Sequence, residues 1–307
     1  MKLLIITQSV DKNSPVLGFF HRWVEEFAKH AESLVVICLS VGEFDLPKNV
    51  RVMSLGKEEG LSRLEYVKRF YKYIWRERRN YDSVFVHMNQ EYVLLAGVFW
   101  KLMSKKVSLW RNHLKGSWLT NVAVILSDKV FFTSPSSYTA RFKKAQKMPV
   151  GIDTNFFKPD PNVHREPKSI LFLGRIAPVK RVLEFVNWFD TLDDEFTATV
   201  AGDPLPKDVD YLNLVKSQAS KRIKFIGAVT QTEALKLYQS HEIYVNKTPA
   251  GSFDKTIFEA ASCGMKVLVD NEDLKFLEGK AGGELRGYVE DSHSLELLVK
   301  KVTKAIQ

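Results

Sequence analysis

The chain has 307 residues, of which 45% are hydrophobic and 26% are charged. This composition is ordinary for a folded, soluble protein and excludes an intrinsically disordered chain. The two cysteines, Cys38 and Cys263, lie far apart within apolar runs, which excludes a disulfide framework and a cysteine-rich metal site. The length predicts two domains.

We expect neither a membrane-spanning segment nor a signal peptide. The longest apolar run, from Tyr92 to Trp100, is well below the ~20 residues that span a bilayer. The N-terminal apolar run is too short for a signal peptide. We therefore expect a cytoplasmic protein that is either free in the cytosol or peripheral at the inner face of the membrane.

In the first half of the chain, short runs rich in β-branched and aromatic residues alternate with stretches of helical period. We predict strands at 2–7, 34–39, 50–55, 83–87, 107–110 and 129–133. We predict helices at about 14–31, 61–80 and 91–104. Such alternation is typical of βαβ units with parallel sheets.

The alternation stops around Asp153 to Arg165, where Pro159, Asp160, Pro161, Asn162 and Pro167 mark a linker, and then restarts. We predict strands at 169–173, 196–201, 223–226, 243–246, 266–269 and 288–290, and helices at 179–189, 208–220, 231–240, 254–262 and 292–306. The fold class is therefore α/β, with two tandem Rossmann-like domains, 1–160 and 161–307, expected to face each other across a cleft. We expect the last helix to pack back on the first domain.

The excess positive charge is confined to the first predicted domain. Residues 1–160 carry 25 basic and 15 acidic side chains, whereas residues 161–307 carry 20 and 21. The two halves are therefore expected to bind different partners. No nucleic-acid recognition motif accompanies the basic half, so we expect no nucleic-acid partner.

The segments that follow predicted strands are the candidate sites, because Rossmann-like sheets bind ligands at the carboxyl ends of their strands. Gly18 follows the first strand, where a glycine lets backbone amides approach a phosphate; ordinary turn chemistry is the alternative. Arg175 and Lys180 follow the first strand of the second domain, where they are placed to hold a phosphate. A pair of surface cations is the alternative there.

A short helix is expected to begin near Asp254 and to end at Gly264, with Ser252 or Asp254 as its cap. The loop before it exposes free amides to an anion. Glu259 lies among apolar neighbours, so its carboxylate needs hydrogen-bond donors, and the hydroxyls of a ribose would supply them. An exposed helical glutamate is the alternative.

Two histidines, His87 and His113, end or follow neighbouring predicted strands. We expect both to point into the same cleft. For each of them the alternative is a core histidine bonded to the backbone. The fingerprints of dinucleotide-binding, P-loop, nucleophile-elbow and zinc-protease sites are absent.

Taken together, these segments resemble the retaining glycosyltransferases of the GT-B fold, in the large family numbered four, the glycosyl transferases group 1. Five segments carry the resemblance, in the family's order and over nearly the whole chain. They are Gly18, the segment 149–157, Gly174-Arg175 with Lys180, Ala201-Gly202-Asp203 and the block 258–264.

The resemblance implies a nucleotide-diphosphate sugar as donor, a UDP- or GDP-sugar, and a glycan or lipid-linked acceptor. It implies no metal and no other cofactor, since the nucleotide sugar is a substrate. His113 is implied as the catalytic histidine beside the transferred sugar, Glu259 as the ribose ligand and Val229 as a neighbour of the base. The implied donor-binding residues are Gly18, Arg175, Lys180, Val229, Ser252, Phe253, Asp254, Lys255, Thr256 and Glu259.

The sequence departs from the family's pattern at one position. The family's signature has a glutamate before the ribose glutamate, with seven residues between them, and Gly251 occupies that position here. Asp254 is the candidate substitute for holding the sugar hydroxyls. Because of this departure, a degenerate GT-B module that binds nucleotide or sugar without transferase activity is one alternative function. A GT-B-fold epimerase is another.

The stretch from Leu61 to Asn80 carries seven cations and two acids with aromatic residues interleaved. Such a helix suits an anionic membrane surface, at ~1 kcal/mol per cation near the lipid. The alternative is an amphipathic Rossmann helix whose aromatic side chains face the sheet.

Overall fold

The predicted alternation of strands and helices is present in the structure, a computed structural model that describes residues 1–251, 253–280 and 282–307. The chain divides into two compact units. The first unit comprises Met1–Gly151 and Leu295–Gln307, and the second comprises Ile152–Ser294. The division therefore falls after Gly151, ahead of the predicted linker, and the last helix belongs to the first unit.

The first unit contains a seven-stranded sheet of order β3-β2-β1-β4-β5-β6-β7, with parallel pairing throughout. Its strands are β1 (Lys2–Val10), β2 (Ser33–Val41), β3 (Val50–Ser54), β4 (Ser83–His87), β5 (Lys106–Trp110), β6 (Lys129–Phe132) and β7 (Ala145–Lys147). Its helices are α1 (Phe19–Lys29), α2 (Arg63–Arg76), α3 (Gln90–Leu102), α4 (Trp118–Leu126) and, from the end of the chain, α10 (Leu295–Ile306).

Both faces of the central part of this sheet are covered, which explains the continuous apolar runs Leu3–Ile6 in β1 and Leu34–Leu39 in β2. Leu3 and Ile5 of β1 point to one face, where they belong to the core formed with α1 and α10. Leu4 and Ile6 point to the other face, where they belong to the core formed with α2 and α3. All four side chains are fully buried.

The second unit contains a five-stranded parallel sheet of order β10-β9-β8-β11-β12. Its strands are β8 (Glu166–Leu173), β9 (Thr197–Ala201), β10 (Ile223–Gly227), β11 (His241–Asn246) and β12 (Lys266–Val269). Its helices are α5 (Val182–Phe189), α6 (Val209–Gln218), α7 (Gln231–Ser240), α8 (Lys255–Ser262) and α9 (Gly282–His293). The predicted fold class, two Rossmann-like sheets in one α/β chain, is confirmed.

One predicted strand is wrong: residues 288–290 lie within α9. The β-forming pair Tyr288 and Val289 suggested a strand, but the buried residues of this segment are Leu285, Val289 and His293. Their spacing of four is the helical period, so packing of one helical face decides the structure. Among the described residues, no helix is long and apolar enough to cross a bilayer.

Candidate functional site

The carboxyl edge of the second sheet is shaped by glycines that end or follow neighbouring strands. The Gly202 N–H donates to the Gly227 carbonyl oxygen at 2.7 Å, and the Gly174 N–H donates to the Ala201 carbonyl oxygen at 3.0 Å. A Cβ atom on Gly202, whose φ is +141°, would stand 2.0 Å from the Gly174 carbonyl oxygen. Only glycine allows this backbone contact, so the turns after β8 and β9 pack closely against each other.

Two cations follow β8 at this edge. Arg175 is exposed and makes no hydrogen bond or ion pair with the described residues. The Lys180 ammonium instead contacts both oxygens of Asp254 at 2.6 Å, and these two side chains are only 20% and 15% exposed. The structure thus brings Lys180 to the start of α8, where the Asp254 carboxylate is its counter-ion.

Asp254 is held by two further donors. Asn246 Nδ2 at the end of β11 donates to its carboxylate at 3.1 Å, and the Thr248 hydroxyl donates at 2.9 Å. Asp254 occupies the cap position of α8, but its side chain makes no capping hydrogen bond. The carboxylate therefore anchors Lys180 to the loop before α8, a role that the sequence analysis did not predict.

Glu259 is buried in α8, with 5% of its surface exposed. The sequence predicts that this carboxylate needs a hydrogen-bond donor, and the protein itself supplies one. The Tyr238 hydroxyl of α7 donates to Glu259 Oε2 at 3.0 Å. Burial, together with the Glu259 charge, raises the pKa of Tyr238 well above its usual value. Tyr238 is the residue that the sequence analysis missed, since nothing in its local sequence separates it from other core tyrosines.

Lys255 and Thr256, the first residues of α8, are both partly buried. The Tyr244 hydroxyl donates to Thr256 Oγ1 at 2.7 Å, which fixes the first turn of the helix against β11. Lys255 lies one turn before Glu259. Burial lowers the pKa of Lys255 from 10.5 to about 7, and the nearby Glu259 carboxylate opposes this shift.

This lowered pKa predicts a pH-dependent stability. Between pH 7 and 10.5 the unfolded chain binds a proton at Lys255 that the folded chain has lost, so the free energy of unfolding gains up to ~1.4 kcal/mol per pH unit in that window. Below that window both states are protonated and the contribution is constant. Lys255→Met should abolish the rise, as measured by urea unfolding of wild type and variant from pH 6.5 to 9.5. Lys221→Met, at an exposed position before β10, is the control; parallel curves for wild type and Lys255→Met would contradict the prediction.

The remaining predicted donor residues are distributed around the same edge. Val229 is partly buried just before α7, and the Phe253 ring lies 5.7 Å from the Phe258 ring of α8. Ser252 lies outside the described residues. Gly251 is buried with φ of +116°, a left-handed conformation that a glutamate would adopt only with strain.

In the first unit, the carboxyl edge of the sheet carries a pocket of about 310 Å³. It collects residues that follow β4 and β5, including His113, together with Gln8 near the end of β1. The pocket is lined by Gln8, Met88, Asn89, Gln90, Glu91, Arg111 and His113. The His113 side chain is exposed, and its Nδ1 atom accepts the Lys115 N–H at 3.0 Å, which fixes the ring orientation.

The pocket has polar side-chain atoms that could form hydrogen bonds with a ligand. Arg111 Nη1 and Gln90 Oε1 are buried without a hydrogen-bond partner among the described residues. One is a donor and the other an acceptor, the combination that a hydroxyl group matches. Met88, with φ of +70°, holds the strained backbone that is frequent at functional sites.

One expectation for the first unit differs from the structure. His87 does not point into the pocket; it is 4% exposed and its ring stacks on Phe20 at 4.3 Å, so it is a core histidine.

Gly18, a predicted donor-binding residue, takes the cap position of α1 with φ of −56°. It is buried, and its own N–H donates to the Ser14 carbonyl oxygen at 3.0 Å. Among the described residues, no three metal-ligating side chains cluster together.

The fold has been observed in solved glycosyltransferase structures. HepE (Alr3699) from Anabaena, in complex with UDP and glucose, matches with a TM-score of 0.74 and 16% identity over 100% of this chain and 99% of that chain. Sucrose-phosphate synthase (tll1590) from Thermosynechococcus elongatus matches with a TM-score of 0.69 and 13% identity over 100% and 94%. The apo lipopolysaccharide outer core galactosyltransferase WaaB matches with a TM-score of 0.66 and 16% identity over 100% and 99%.

No curated protein sequence matches this chain. The family model described as "Glycosyl transferases group 1" matches residues 153–307, which include the whole edge built around Lys180, Asp254 and Glu259. This match covers half of the sequence, and the two parallel sheets agree with the GT-B structures. The chain is therefore a glycosyltransferase and belongs to the glycosyl transferases group 1 family.

Proposed function

We propose that this enzyme transfers a sugar from a UDP- or GDP-sugar to a glycan or lipid-linked acceptor, with retention of the anomeric configuration. One observation carries the proposal: Lys180, Asp254, the start of α8 and the buried Glu259 meet at the carboxyl edge of the second sheet. The complexes of HepE with UDP and with UDP-glucose support a nucleotide-sugar donor.

In this proposal the second unit binds the donor. Arg175 and Lys180 hold the diphosphate, and the first amides of α8 add the partial positive charge of a helix N-terminus. Glu259, oriented by Tyr238, accepts hydrogen bonds from the ribose hydroxyls. Val229 borders the base.

The reaction is departure of the nucleoside diphosphate from the anomeric carbon. Negative charge grows on the leaving phosphate, and cations fixed before the reaction stabilise it without reorganisation. These side chains supply the positive charge, so the proposed reaction requires no metal. His113 lies in the pocket of the first unit and is proposed to contact the transferred sugar, with the acceptor attacking from the face that the diphosphate leaves.

The first unit is proposed to bind the acceptor. It carries 27 basic and 14 acidic side chains, whereas the second unit carries 18 and 22. Both predicted roles of the stretch from Leu61 to Asn80 have support in α2. Phe70 is fully buried against the sheet, whereas Tyr71 and Trp75 are 40% and 56% exposed. An anionic acceptor, or an anionic membrane that presents one, fits this charge.

The direct test is a panel of UDP-, GDP- and ADP-sugars, with nucleotide release and the anomeric configuration of the product as readouts. We expect turnover with a UDP- or GDP-sugar and strong loss of activity in Lys180→Met, with Lys221→Met as the matched control. Donor binding without turnover would indicate the degenerate module, which Gly251 suggests. A change in the configuration of the donor sugar without transfer would indicate an epimerase. Neither binding nor turnover with any nucleotide sugar would overturn the proposed donor site.

A further inference from the structure

Buried polar atoms without a hydrogen-bond partner are concentrated at one edge of the first sheet. Within the described part of the chain there are three in side chains: Gln90 Oε1, Arg111 Nη1 and Thr133 Oγ1. They follow β4, β5 and β6 in turn, and these neighbouring parallel strands have their carboxyl ends at the same edge. Folded proteins leave few such atoms, because each is costly. Their concentration here points to a polar ligand.

Two of these atoms, Gln90 Oε1 and Arg111 Nη1, belong to side chains that line the pocket of the first unit. Arg111 is fixed through its other terminal nitrogen, since Nη2 donates to the Lys115 carbonyl oxygen at 2.9 Å. The N–H of the same Lys115 donates to His113 Nδ1 at 3.0 Å. The backbone of one residue therefore positions both Arg111 and His113, and Arg111 Nη1 remains as a donor for a ligand.

Two further amide side chains of the pocket are oriented by each other. Gln8 Nε2 donates to Asn89 Oδ1 at 2.8 Å. This hydrogen bond leaves the Gln8 oxygen as an acceptor and the Asn89 nitrogen as a donor. The pocket thus presents both donors and acceptors in fixed positions. The hydroxyl groups of a sugar match such a set, because each hydroxyl both donates and accepts.

The lining of the pocket carries one fixed positive and one fixed negative charge, Arg111 and Glu91. Burial lowers the pKa of Arg111, and the Glu91 carboxylate opposes this shift, so the two charges act on each other. They are not joined by a hydrogen bond, since Nη2 of Arg111 is used by Lys115 and Nη1 has no partner among the described residues. A carboxylate or phosphate on a ligand would be repelled by Glu91, and an amine would be repelled by Arg111. An uncharged polar ligand is therefore favoured.

The volume of the pocket, about 310 Å³, lies at the lower end of the ~300–1,000 Å³ that is usual for small-molecule sites, which suits a single ring. We propose that Gln90 and Arg111 determine sugar specificity by binding hydroxyl groups of one uncharged sugar ring in this pocket. The ring belongs either to the acceptor or to the sugar being transferred. This inference rests on the proposed function and narrows it, because the ring held here bears no carboxylate, phosphate or amine. The surplus positive charge of the first unit lies outside the pocket.

The first test is binding of methyl glycosides to the wild type, followed by saturation-transfer NMR at about 10 mM sugar, where millimolar affinities are detected. Glucose, galactose and mannose are each compared with the corresponding uronic acid and 2-amino sugar. We expect at least one uncharged glycoside to bind, and its two charged counterparts to bind at least ~10-fold more weakly. Equal binding of the charged and uncharged forms, or no binding of any uncharged glycoside, would overturn the proposal.

The second test assigns the specificity to side chains. Gln90→Leu breaks no hydrogen bond of Oε1 among the described residues, so its thermal unfolding should match that of the wild type. It should weaken binding of the uncharged glycoside about 10-fold, as should Arg111→Met. The matched controls are Gln218→Leu and Lys143→Met, at exposed positions outside the pocket, and they should bind like the wild type.

Monodeoxy forms of the same glycoside identify the hydroxyl that Gln90 binds. The wild type should lose about 10-fold in affinity when that hydroxyl is missing, whereas Gln90→Leu should lose little more, because the two changes remove the same contact. A general loosening of the fold would weaken every member of the series alike. Wild-type affinity in Gln90→Leu, or an unchanged ranking of the deoxy sugars, would overturn the assignment.

Kinetics then distinguish the two sources of the ring. If it belongs to the acceptor, Gln90→Leu raises the KM of the acceptor; if it belongs to the transferred sugar, the variant loses affinity for the nucleotide sugar relative to the free nucleotide. No change in either would overturn the inference. The thermal shift with UDP and GDP tests the donor site separately. A nucleotide response without sugar selectivity would overturn this inference alone, and sugar selectivity without a nucleotide response would overturn the proposed donor site alone.

Discussion

Replacing Glu259 with glutamine is expected to weaken binding of the nucleoside-diphosphate donor about 10- to 100-fold, because hydrogen bonds to a charged acceptor are worth ~1.5–3 kcal/mol each. The change keeps the size of the side chain but removes the charge that the Tyr238 hydroxyl and, in our proposal, the ribose hydroxyls share. Calorimetric titration with UDP or GDP measures the effect.

Tyr238→Phe is the matched control for this substitution. It removes the protein donor at 3.0 Å and leaves the carboxylate charged, so it should weaken donor binding less than Glu259→Gln does. The 2′-deoxy form of the nucleotide adds a second control, since its affinity should be less sensitive to Glu259→Gln. Full donor affinity in Glu259→Gln would refute the ribose assignment.

Replacing Asp254 with asparagine is expected to lower affinity for the diphosphate about 10-fold. The Lys180 ammonium is 80% covered and has Asp254 as its counter-ion at 2.6 Å. Without the carboxylate, a partly buried cation loses its anchor and its fixed position, and breaking such a pair is costly. The affinity ratio of nucleoside diphosphate to monophosphate is the readout, because it reports the phosphate contact and cancels general effects on the base and ribose.

The double variant Asp254→Asn with Lys180→Met tests whether Asp254 acts by holding Lys180 in place or whether the two residues contribute independently to diphosphate binding. If Asp254 acts through Lys180, the second substitution adds little to the first; independent roles would give additive losses. Thr248→Val, which removes one hydrogen bond of 2.9 Å to Asp254, should have a smaller effect. Tighter diphosphate binding in Asp254→Asn would contradict the proposal that Asp254 positions Lys180. It would show that the carboxylate competes with phosphate for the Lys180 ammonium.

The fold could be predicted from the sequence because parallel strands that are buried on both faces consist of continuous runs of apolar residues. The run 34–39 is wholly apolar, and the runs 2–7 and 83–87 have apolar centres, Leu3–Ile6 and Val84–Val86; they become the neighbouring strands β2, β1 and β4. The prediction failed for segments that have no clear apolar pattern. The three-residue β7 is too short to show a pattern, and the pair Tyr288 and Val289 favoured a strand that helical packing overrode.

The sequence predicts which segments form the candidate site but not which side chains contact each other there. The segments after β8 and before α8 are predicted from their place at strand ends, and the structure brings Lys180 and Asp254 together there. The pairing itself depends on the side-chain directions of residues 74 positions apart, which no local pattern encodes. For the same reason, the local sequence does not predict the hydrogen bond of Tyr238 to Glu259 or the burial of His87 against α1.

Calorimetric titration of the wild type and Arg175→Met with the diphosphate and the monophosphate of one nucleoside measures whether the carboxyl edge of the second sheet binds a diphosphate. We expect the wild type to bind the diphosphate at least ~10-fold more tightly and Arg175→Met to lose most of this difference, since charge-assisted phosphate contacts are worth ~1.5–3 kcal/mol. Equal affinities for the two nucleotides in the wild type, or a preference unchanged in the variant, would contradict a diphosphate site at this edge.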